Sequence, residues 1–409
     1  MNVYLHTFGC KANQYDSDQV RQAFADRGAA FVDDPALADL AVVNSCTVTQ
    51  SSETKLRSYV RRLARQPGLQ TVVMGCAAAR DDGTIAALPS VRGVVGGADP
   101  EAVLRAAGVT AWSSSAAASR RGAQGQRSRG LLKIQDGCDE HCTFCATTLA
   151  RGANRSRPVA ELIDEARALA GRHAEIVLTG VHIGTYGRDA GRVAGAESSL
   201  GPLLEALILA VPEVRFRLSS VEATEVDDRL ADLLISAPRH LAAHLHAPLQ
   251  SGSDRVLKRM GRHWYTARAY RRRIEWLAAR LPVFGLGADV IAGFPGESAE
   301  DHRATMALVA ALPFTYLHVF PYSVRPDVAA GRLDGALAPP VVECRARELR
   351  ELGEAKARAH RARRTGARAD GVVSGRRRGL LDVLTEDHLS VYLPSDSWDG
   401  RARFEVTIA

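Results

Sequence analysis

The chain has 409 residues, of which 46% are hydrophobic, so a single small module is excluded and two or three domains are expected. Its 53 Lys and Arg against 46 Asp and Glu give a formal net charge of +7, which favours an acidic partner such as nucleic acid, although ordinary surface charge explains the same excess. Seven cysteines, an odd number, argue against a disulfide framework and favour metal or catalytic sites.

The N-terminal sequence, MNVYLHTFGC, has no pattern of a secretory signal, and no apolar run has transmembrane length, so we expect a cytoplasmic protein. The apolar runs VYLHTFG, LAVVNS and TVVMG predict three parallel strands, separated by a polar helix from about Ser17 and a basic helix through TKLRSYVRRLARQ. A cysteine follows each strand, and parallel strands end at one edge of a sheet. We therefore expect Cys10, Cys46 and Cys76 to converge, with inert packing as the alternative for any one of them.

The segment 112–130 is rich in Ser, Ala, Gly and Arg, which predicts a linker that can also contact RNA. Six strands are predicted after it, at LLKIQ, EIVLTGV, RFRLSSV, HLHAPL, FGLGADVIAG and YLHVFPYS. Six βα units over 131–345 indicate a partial (β/α)6 barrel and an α/β fold class. We expect an Arg-rich helical connector at 346–365 and a small all-β module at 366–409.

The stretch GCDEHCTFC follows the first barrel strand and contains three cysteines. Cys138, Cys142 and Cys145 have the spacing C-x3-C-x2-C, which suits three corners of a [4Fe-4S] cluster and leaves the fourth iron open. Zinc is the alternative, with His141 as a fourth ligand in a cramped loop. The count of three indicates a site with an open position for chemistry.

This cysteine motif and the barrel after it resemble the radical S-adenosylmethionine (SAM) superfamily. The resemblance implies that SAM binds the open iron and is reductively cleaved to a 5′-deoxyadenosyl radical, with electrons from an external low-potential donor. The segments LTGVHIG, HAPLQSGSD and DVIAGFPGE resemble the parts of the family's barrel that contact SAM, although each segment alone is also consistent with an ordinary turn. The residues that the resemblance assigns to SAM are Thr179, Gly180, Gln250, Ser251, Ser253, Ile291 and Gly293.

The words around the first three cysteines, TFGCKANQYDSD, VVNSCTVTQSSETKLRSYVRR and VVMGCAAA, resemble the N-terminal domain of the methylthiotransferases. The closest branch modifies N6-threonylcarbamoyladenosine at position 37 of tRNA, next to the anticodon. The resemblance implies that a domain at 1–111 uses Cys10, Cys46 and Cys76 to hold an auxiliary [4Fe-4S] cluster that carries sulfur to C2 of the base. The tail resembles a TRAM domain, an RNA-binding module; tRNA and SAM are the implied partners, with no membrane.

Three alternatives remain at this point. The first is a methylthiotransferase for another tRNA base or a ribosomal protein side chain, and the second is a radical SAM enzyme whose auxiliary cluster transfers electrons. The third is a non-enzymatic RNA-binding scaffold with structural zinc. Arg155 and Arg157 are candidates for phosphate or SAM carboxylate contacts or are surface charge, and Cys344 is expected to be structural.

Overall fold

The computed structural model describes residues 1–109, 128–189, 199–325, 327–395, 400 and 402–409. The predicted linker at 112–130 thus lies outside the described residues except for residues 128–130. Two compact units are present. The first contains the described part of Met1–Gln126 with the segments Gly137–Glu140 and Cys145–Ala153, and the second contains the other described residues.

The first unit is built on a parallel sheet with helices on both faces. Its elements over residues 1–109 are β1 (Asn2–Thr7), α1 (Lys11–Ala25), β2 (Ala30–Phe31), β3 (Leu40–Ser45), α2 (Gln50–Leu63), β4 (Gln70–Gly75), β5 (Val91–Gly96) and α3 (Pro100–Ala106). The strand order is β2-β1-β3-β4-β5, so the chain reverses its direction of travel across the sheet between β1 and β3. One face packs on α1 and α3 and the other on α2, which explains why β3 is buried along its whole length.

Two features of this sheet differ from the sequence prediction. The first helix begins at Lys11 rather than near Ser17, because Cys10 adopts an extended conformation and serves as its N-cap residue. The strands β2 and β5 were not predicted, since β2 has two residues and β5 is interrupted by Gly93.

The second unit begins with a curved parallel sheet. The elements from residue 130 onward are β6 (Gly130–Lys133), β7 (Gln135–Asp136), α4 (Thr147–Arg151), β8 (Arg155–Ser156), α5 (Val159–Ala170), β9 (Glu175–Thr179), α6 (Leu200–Ala210), β10 (Arg215–Leu218), α7 (Asp228–Ser236), β11 (His244–His246), α8 (Asp254–Arg259), α9 (Ala267–Ala278), β12 (Gly285–Ala292), α10 (Ala299–Ala311), β13 (Tyr316–Pro321) and α11 (Pro339–Arg364). Of these, α4 lies in the first unit. The strands β6, β9 and β10 pair in parallel, as do β11, β12 and β13.

Single parallel bridges, Phe216 to Leu241 and Ser220 to His246, join the two halves of this sheet. The result is the predicted partial barrel, and the α/β fold class is confirmed. No helix in the described ranges is both long and apolar enough to cross a membrane.

The tail forms an antiparallel sheet of β14 (Arg368–Arg377), β15 (Leu380–Thr385), β16 (Ser390–Pro394) and β17 (Arg403–Thr407), in the order β16-β15-β14-β17. It packs beneath the barrel strands through a buried charge cluster. Arg215 donates to Glu175 (2.7 Å) and to the carbonyl of Asp370 (2.5 Å), while Arg217 donates to Glu175 and to the carbonyl of Thr385 (2.8 Å). Burial alone would raise the pKa of Glu175, but the two arginines outweigh it and hold that pKa well below its usual range.

Candidate active site

Three cysteines of the first unit lie where β1, β3 and β4 end. Asn13 links two of them, because its Oδ1 accepts hydrogen bonds from Cys10 Sγ at 3.4 Å and from Cys76 Sγ at 3.9 Å. Cys46 adjoins the first strand end, since a Cβ added to Gly9 would lie 3.0 Å from Cys46 Cβ. The structure thus brings the three residues together at the reversal of strand order, the position at which open α/β sheets bind ligands.

Glycine precedes two of these cysteines for a steric reason. Gly9 and Gly75 have φ values of +108° and +93°, which side chains rarely adopt. At Gly75 an added Cβ would also lie 2.3 Å from Asn44 Oδ1. Each strand therefore turns sharply at its end and places the following cysteine back over the sheet edge.

The chemistry of these sulfurs fits a metal cluster. All three cysteines are free thiols. Burial raises the pKa of the Cys46 and Cys76 thiols, and the neighbouring sulfurs raise it further. Three adjacent thiolates need a cation to offset their repulsion, and a bound metal supplies it because metal-bound sulfur is deprotonated. Three sulfurs from three strand ends match a cluster with one open iron.

Sequence reasoning missed the polar residues that form hydrogen bonds around these thiols. Arg151, in α4, donates from Nε to Cys76 Sγ at 3.2 Å, and from Nη2 to Asn13 Oδ1 at 3.0 Å and Asp16 Oδ2 at 2.8 Å. The ion pair is buried, with 7% of the Arg151 side chain and 2% of that of Asp16 exposed. No local sequence pattern signals this pair, because Asp16 and Arg151 are 135 positions apart.

Two cysteines of the C-x3-C-x2-C motif also lie in the first unit. Cys138 donates its backbone N–H to the carbonyl of Gly152 at 2.9 Å, and Cys145 Sγ accepts the N–H of Thr147 at 3.4 Å at the start of α4. Before them, Gly137 has a φ of +73°, and an added Cβ would lie 1.9 Å from the carbonyl oxygen of Ala153. This close approach of two backbone segments requires glycine.

The motif's middle cysteine lies in the second unit, beside a buried cation. Arg262 donates to Cys142 Sγ at 3.3 Å and pairs with Glu222, whose other oxygen accepts the indole N–H of Trp264. Only 5% of Arg262 and 6% of Glu222 is exposed. A guanidinium next to a thiol favours the thiolate, which is the form that binds iron. Neither Arg262 nor Glu222 was identified from the sequence.

The residues assigned to SAM by resemblance lie at the carboxyl ends of barrel strands. Thr179 is the last residue of β9, and an added Cβ at Gly180 would lie 2.7 Å from the carbonyl of Gln135. Gln250 has a φ of +60°, and its backbone bonds to both Asp289 and Ile291 of β12. A non-glycine residue held in this conformation is typical of a functional site.

The other three assigned residues have structural partners. Ser253 caps α8 and donates to Asp301 at 2.6 Å, and Ser251 Oγ lies 3.3 Å from Thr305 Oγ1. Gly293 has a φ of +76°, and its missing side chain leaves room for Val342. The assignment to SAM of every residue in this set, including Thr179, Gly180, Gln250 and Ile291, stays a prediction.

The remaining candidates lie in ordinary surroundings. Arg157 pairs with Glu165 at 2.8 Å and donates to the carbonyl of Lys133 at 2.9 Å, and Arg155 is the first residue of β8. Cys344 lies on α11, with its Sγ 3.5 Å from Glu348 Oε1.

Comparison with known proteins identifies the family. Residues 2–96 match the Uncharacterized protein family UPF0004, and residues 132–309 match the Radical SAM superfamily. The chain is 36% identical to "Threonylcarbamoyladenosine tRNA methylthiotransferase MtaB" of Bacillus subtilis, over 86% of this chain and 80% of that protein. It is 31% identical to the protein of the same name from Aquifex aeolicus, over 96% of each. The chain belongs to the radical SAM methylthiotransferase family.

Other relatives of this methylthiotransferase include "tRNA-2-methylthio-N(6)-dimethylallyladenosine synthase" of Desulfosudis oleivorans, which is 32% identical over 85% of this chain and 78% of that protein. Among solved structures, the radical SAM methyltransferase TsrM from Kitasatospora setae has a TM-score of 0.60 at 15% identity, over 81% of this chain and 77% of that one. That likeness shows a shared fold. The predicted enzyme class and the SAM and iron–sulfur cofactors are confirmed, and the non-enzymatic scaffold is excluded.

Proposed function

We propose that this methylthiotransferase acts in the cytoplasm on tRNA and replaces the hydrogen at C2 of N6-threonylcarbamoyladenosine, at position 37, with a methylthio group. The observation that carries the proposal is the convergence of Cys10, Cys46 and Cys76 at one sheet edge, in a chain that also contains the C-x3-C-x2-C motif. One cysteine triad suffices to hold the cluster that cleaves SAM, so a second triad indicates a second cluster with a different chemical role. Two of its three thiols, those of Cys46 and Cys76, are buried, which suits a site that holds sulfur.

The roles follow from the two triads. Cys138, Cys142 and Cys145 hold the SAM-binding cluster, and Cys10, Cys46 and Cys76 hold the auxiliary one. When bound, the auxiliary cluster would supply the sulfur, one SAM would supply the methyl group, and a second SAM would supply the 5′-deoxyadenosyl radical that takes the C2 hydrogen as 5′-deoxyadenosine. An external low-potential donor supplies the electrons.

The chain's own residues prepare these sites. Arg262 stabilises the Cys142 thiolate, and Glu222 neutralises and orients the Arg262 side chain. Arg151 does the same for Cys76, with Asp16 as its counter-charge. Both arginines are buried, and of the cysteines that they contact Cys76 is buried and Cys142 is partly exposed. An adenosine must leave its base stack to reach the barrel, as with other enzymes that modify bases.

The substrate assignment follows the named relatives, because the MtaB proteins cover most of this chain at 31% to 36% identity. The second candidate substrate is N6-dimethylallyladenosine, since synthases of its methylthio derivative are 31% to 32% identical. Both candidates share one reaction and differ in the group attached to N6. The difference is one of charge, because the threonylcarbamoyl group carries a carboxylate and the dimethylallyl group carries none.

The direct test uses the anaerobic, reconstituted enzyme with SAM, a reductant and three anticodon stem-loop RNAs. The RNAs carry threonylcarbamoyladenosine, dimethylallyladenosine or unmodified adenosine at position 37. Mass spectrometry of the digested nucleosides should find methylthiolation of the first RNA only. Methylthio product on the dimethylallyl RNA alone would assign the protein to the other branch, and turnover of none of the three would contradict a tRNA adenosine substrate.

A further inference from the structure

The last three barrel strands present a row of histidine and tyrosine side chains on one face. On β12, Leu286, Ala288 and Val290 are fully buried, whereas Asp289 between them is only partly buried and points to the opposite face. Leu317 of β13 packs against Gly353 of α11, so the apolar face is the helix-covered one. In a barrel of parallel strands the helices lie outside. Asp289 and its neighbours on that face therefore line the lumen.

The strand register aligns five lumen side chains into one hydrogen-bonded chain. Tyr316 Oη lies 2.9 Å from His244 Nε2 and 3.0 Å from His246 Nδ1. His246 Nε2 lies 3.1 Å from Asp289 Oδ1, and His318 Nδ1 lies 3.2 Å from the same oxygen. The chain of contacts thus crosses β11, β12 and β13 from the strand starts toward the middle of β13.

Glycine makes this arrangement possible. Gly287 pairs with Tyr316 across the strands, and an added Cβ there would lie 2.0 Å from the tyrosine ring. The ring therefore lies flat on the backbone of β12. From below, His388 of the tail stacks on the rings of His244 (4.5 Å between centroids) and Tyr316 (5.0 Å). The deep end of the row is thus closed by protein.

The proton positions follow from Asp289, which accepts from both sides. Burial would raise the pKa of Asp289, but hydrogen bonds from His246 and His318 outweigh it and keep the carboxylate ionised. His246 therefore carries a proton on Nε2, and its Nδ1 lies 3.0 Å from the Tyr316 hydroxyl. His318 carries a proton on Nδ1 toward Asp289, so its Nε2 is the outer end of the row.

His318 is also the exposed end. Its side chain is 57% exposed, against 25% for Asp289 and 9% for His246. A carboxylate behind a histidine holds the ring in one orientation. The ring held in this way presents its Nε2 to the lumen.

We propose that His318 recognises the carboxylate of the substrate's threonylcarbamoyl group, with Asp289 as the positioning residue that orients the His318 ring. The inference rests on the proposed function and adds to it the residue that distinguishes an acidic N6 substituent from a neutral one. In the bound state His318 lies between two carboxylates, one from the protein and one from the RNA, and donates a ring N–H to each. A neutral N6 substituent leaves the Nε2–H without its acceptor.

A divalent cation is the alternative ligand for this site. One donor atom from each of His246, Asp289 and His318 lies within 4.8 Å of the other two, which is close enough to hold a metal ion. Two features favour an anionic ligand. Asp289 already satisfies a ring N–H from each histidine, and a cation between them would displace both protons. In addition, the side chain of His318 is 57% exposed, so only two of the three donor residues are held by the surrounding protein.

The test compares two anticodon stem-loop RNAs, one with threonylcarbamoyladenosine and one with its methyl ester, which differ only in that carboxylate. The wild-type enzyme should have a kcat/KM for methylthiolation at least about tenfold higher on the acid, because a hydrogen bond between charged groups contributes that much. His318→Gln should bring the ratio close to one. His318→Lys, which restores a cation, should recover part of it.

His302→Gln is the matched control, since His302 also pairs with a carboxylate, that of Glu348, but lies on the helices α10 and α11. It should keep the wild-type ratio and cleave SAM without RNA at the wild-type rate. A His318→Gln enzyme with the wild-type ratio would overturn the inference. So would one equivalent of zinc or manganese bound to the wild type and lost in His318→Gln, which would assign a metal site instead.

The outcomes also separate the two claims. A wild-type enzyme that modifies the acid and the ester equally well would overturn the role of His318 and leave the proposed function intact. A wild-type enzyme that modifies neither, but is active on the dimethylallyl RNA, would overturn the proposed function and this inference with it.

Discussion

Arg151 connects Cys76, a proposed cluster ligand, to the buried carboxylate of Asp16. Arg151→Met should destabilise the folded protein by on the order of 3 kcal/mol, since it leaves Asp16 buried without its cation. It should also reduce the iron bound per chain. Urea unfolding and iron analysis of the anaerobic protein measure the two effects.

The double variant Arg151→Met with Asp16→Asn separates the effect of the buried ion pair on stability from the effect of Arg151 on iron binding. Removing both charges should recover most of the lost stability, because a neutral pair has no uncompensated charge. The iron deficit should remain, since Cys76 still lacks its hydrogen-bond donor. Recovery of both properties would mean that Arg151 has no specific role at the sulfur.

Gly137 is a second residue with a specific role, because the backbone around it leaves no room for a side chain. Gly137→Ala places a Cβ 1.9 Å from the carbonyl of Ala153, so the backbone before Cys138 must move. We expect the variant to lose SAM cleavage and about half of its iron. Gly83→Ala is the control, because Gly83 has a φ of +99° but open space around an added Cβ. Equal behaviour of the two variants in iron and 5′-deoxyadenosine assays would contradict the steric argument.

At the scale of elements, the buried parallel strands were predictable and the contacts between distant elements were not. The runs LAVVNS and TVVMG are continuous apolar stretches, as expected for strands covered on both faces. The cysteines at their ends followed from topology alone. Arg151 and Arg262 contact cysteines 75 and 120 positions away, and no local pattern encodes such a pairing. His318 was missed for the same reason.

The docking of the tail beneath the barrel depends on Glu175, which compensates Arg215 and Arg217. Glu175→Gln should cost on the order of 3 kcal/mol and make the tail sensitive to protease, because two buried cations then share fewer counter-charges. Glu205→Gln is the control, since it breaks an exposed pair with Arg229 and should cost less than about 1 kcal/mol. Similar urea midpoints for the two variants would argue against a charge-dependent interface.

At the scale of the whole molecule, the net charge of +7 predicts salt-dependent RNA binding. Arg377 and Arg378 lie at the turn between β14 and β15. Changing both to Ser should weaken tRNA binding and reduce the slope of log affinity against log salt by about 1 to 2. Cleavage of SAM without RNA should be unchanged. Filter binding at several salt concentrations measures the slope.

The control removes the same charge elsewhere. Arg347 and Arg358 are exposed on α11, and each pairs with a glutamate one turn away. Changing both to Ser should leave the slope close to the wild-type value. A matching loss in both double variants would mean that net charge, rather than the tail's turn, determines RNA affinity.

We propose that Cys10, Cys46 and Cys76 hold a separate cluster that supplies the sulfur. The most direct measurement quantifies iron, 5′-deoxyadenosine and methylthiolated nucleoside on one anaerobic preparation of the variant in which all three are Ala. We predict about half the wild-type iron, preserved SAM cleavage and no methylthio product. Methylthio product at the wild-type level from this variant would contradict the two-cluster account.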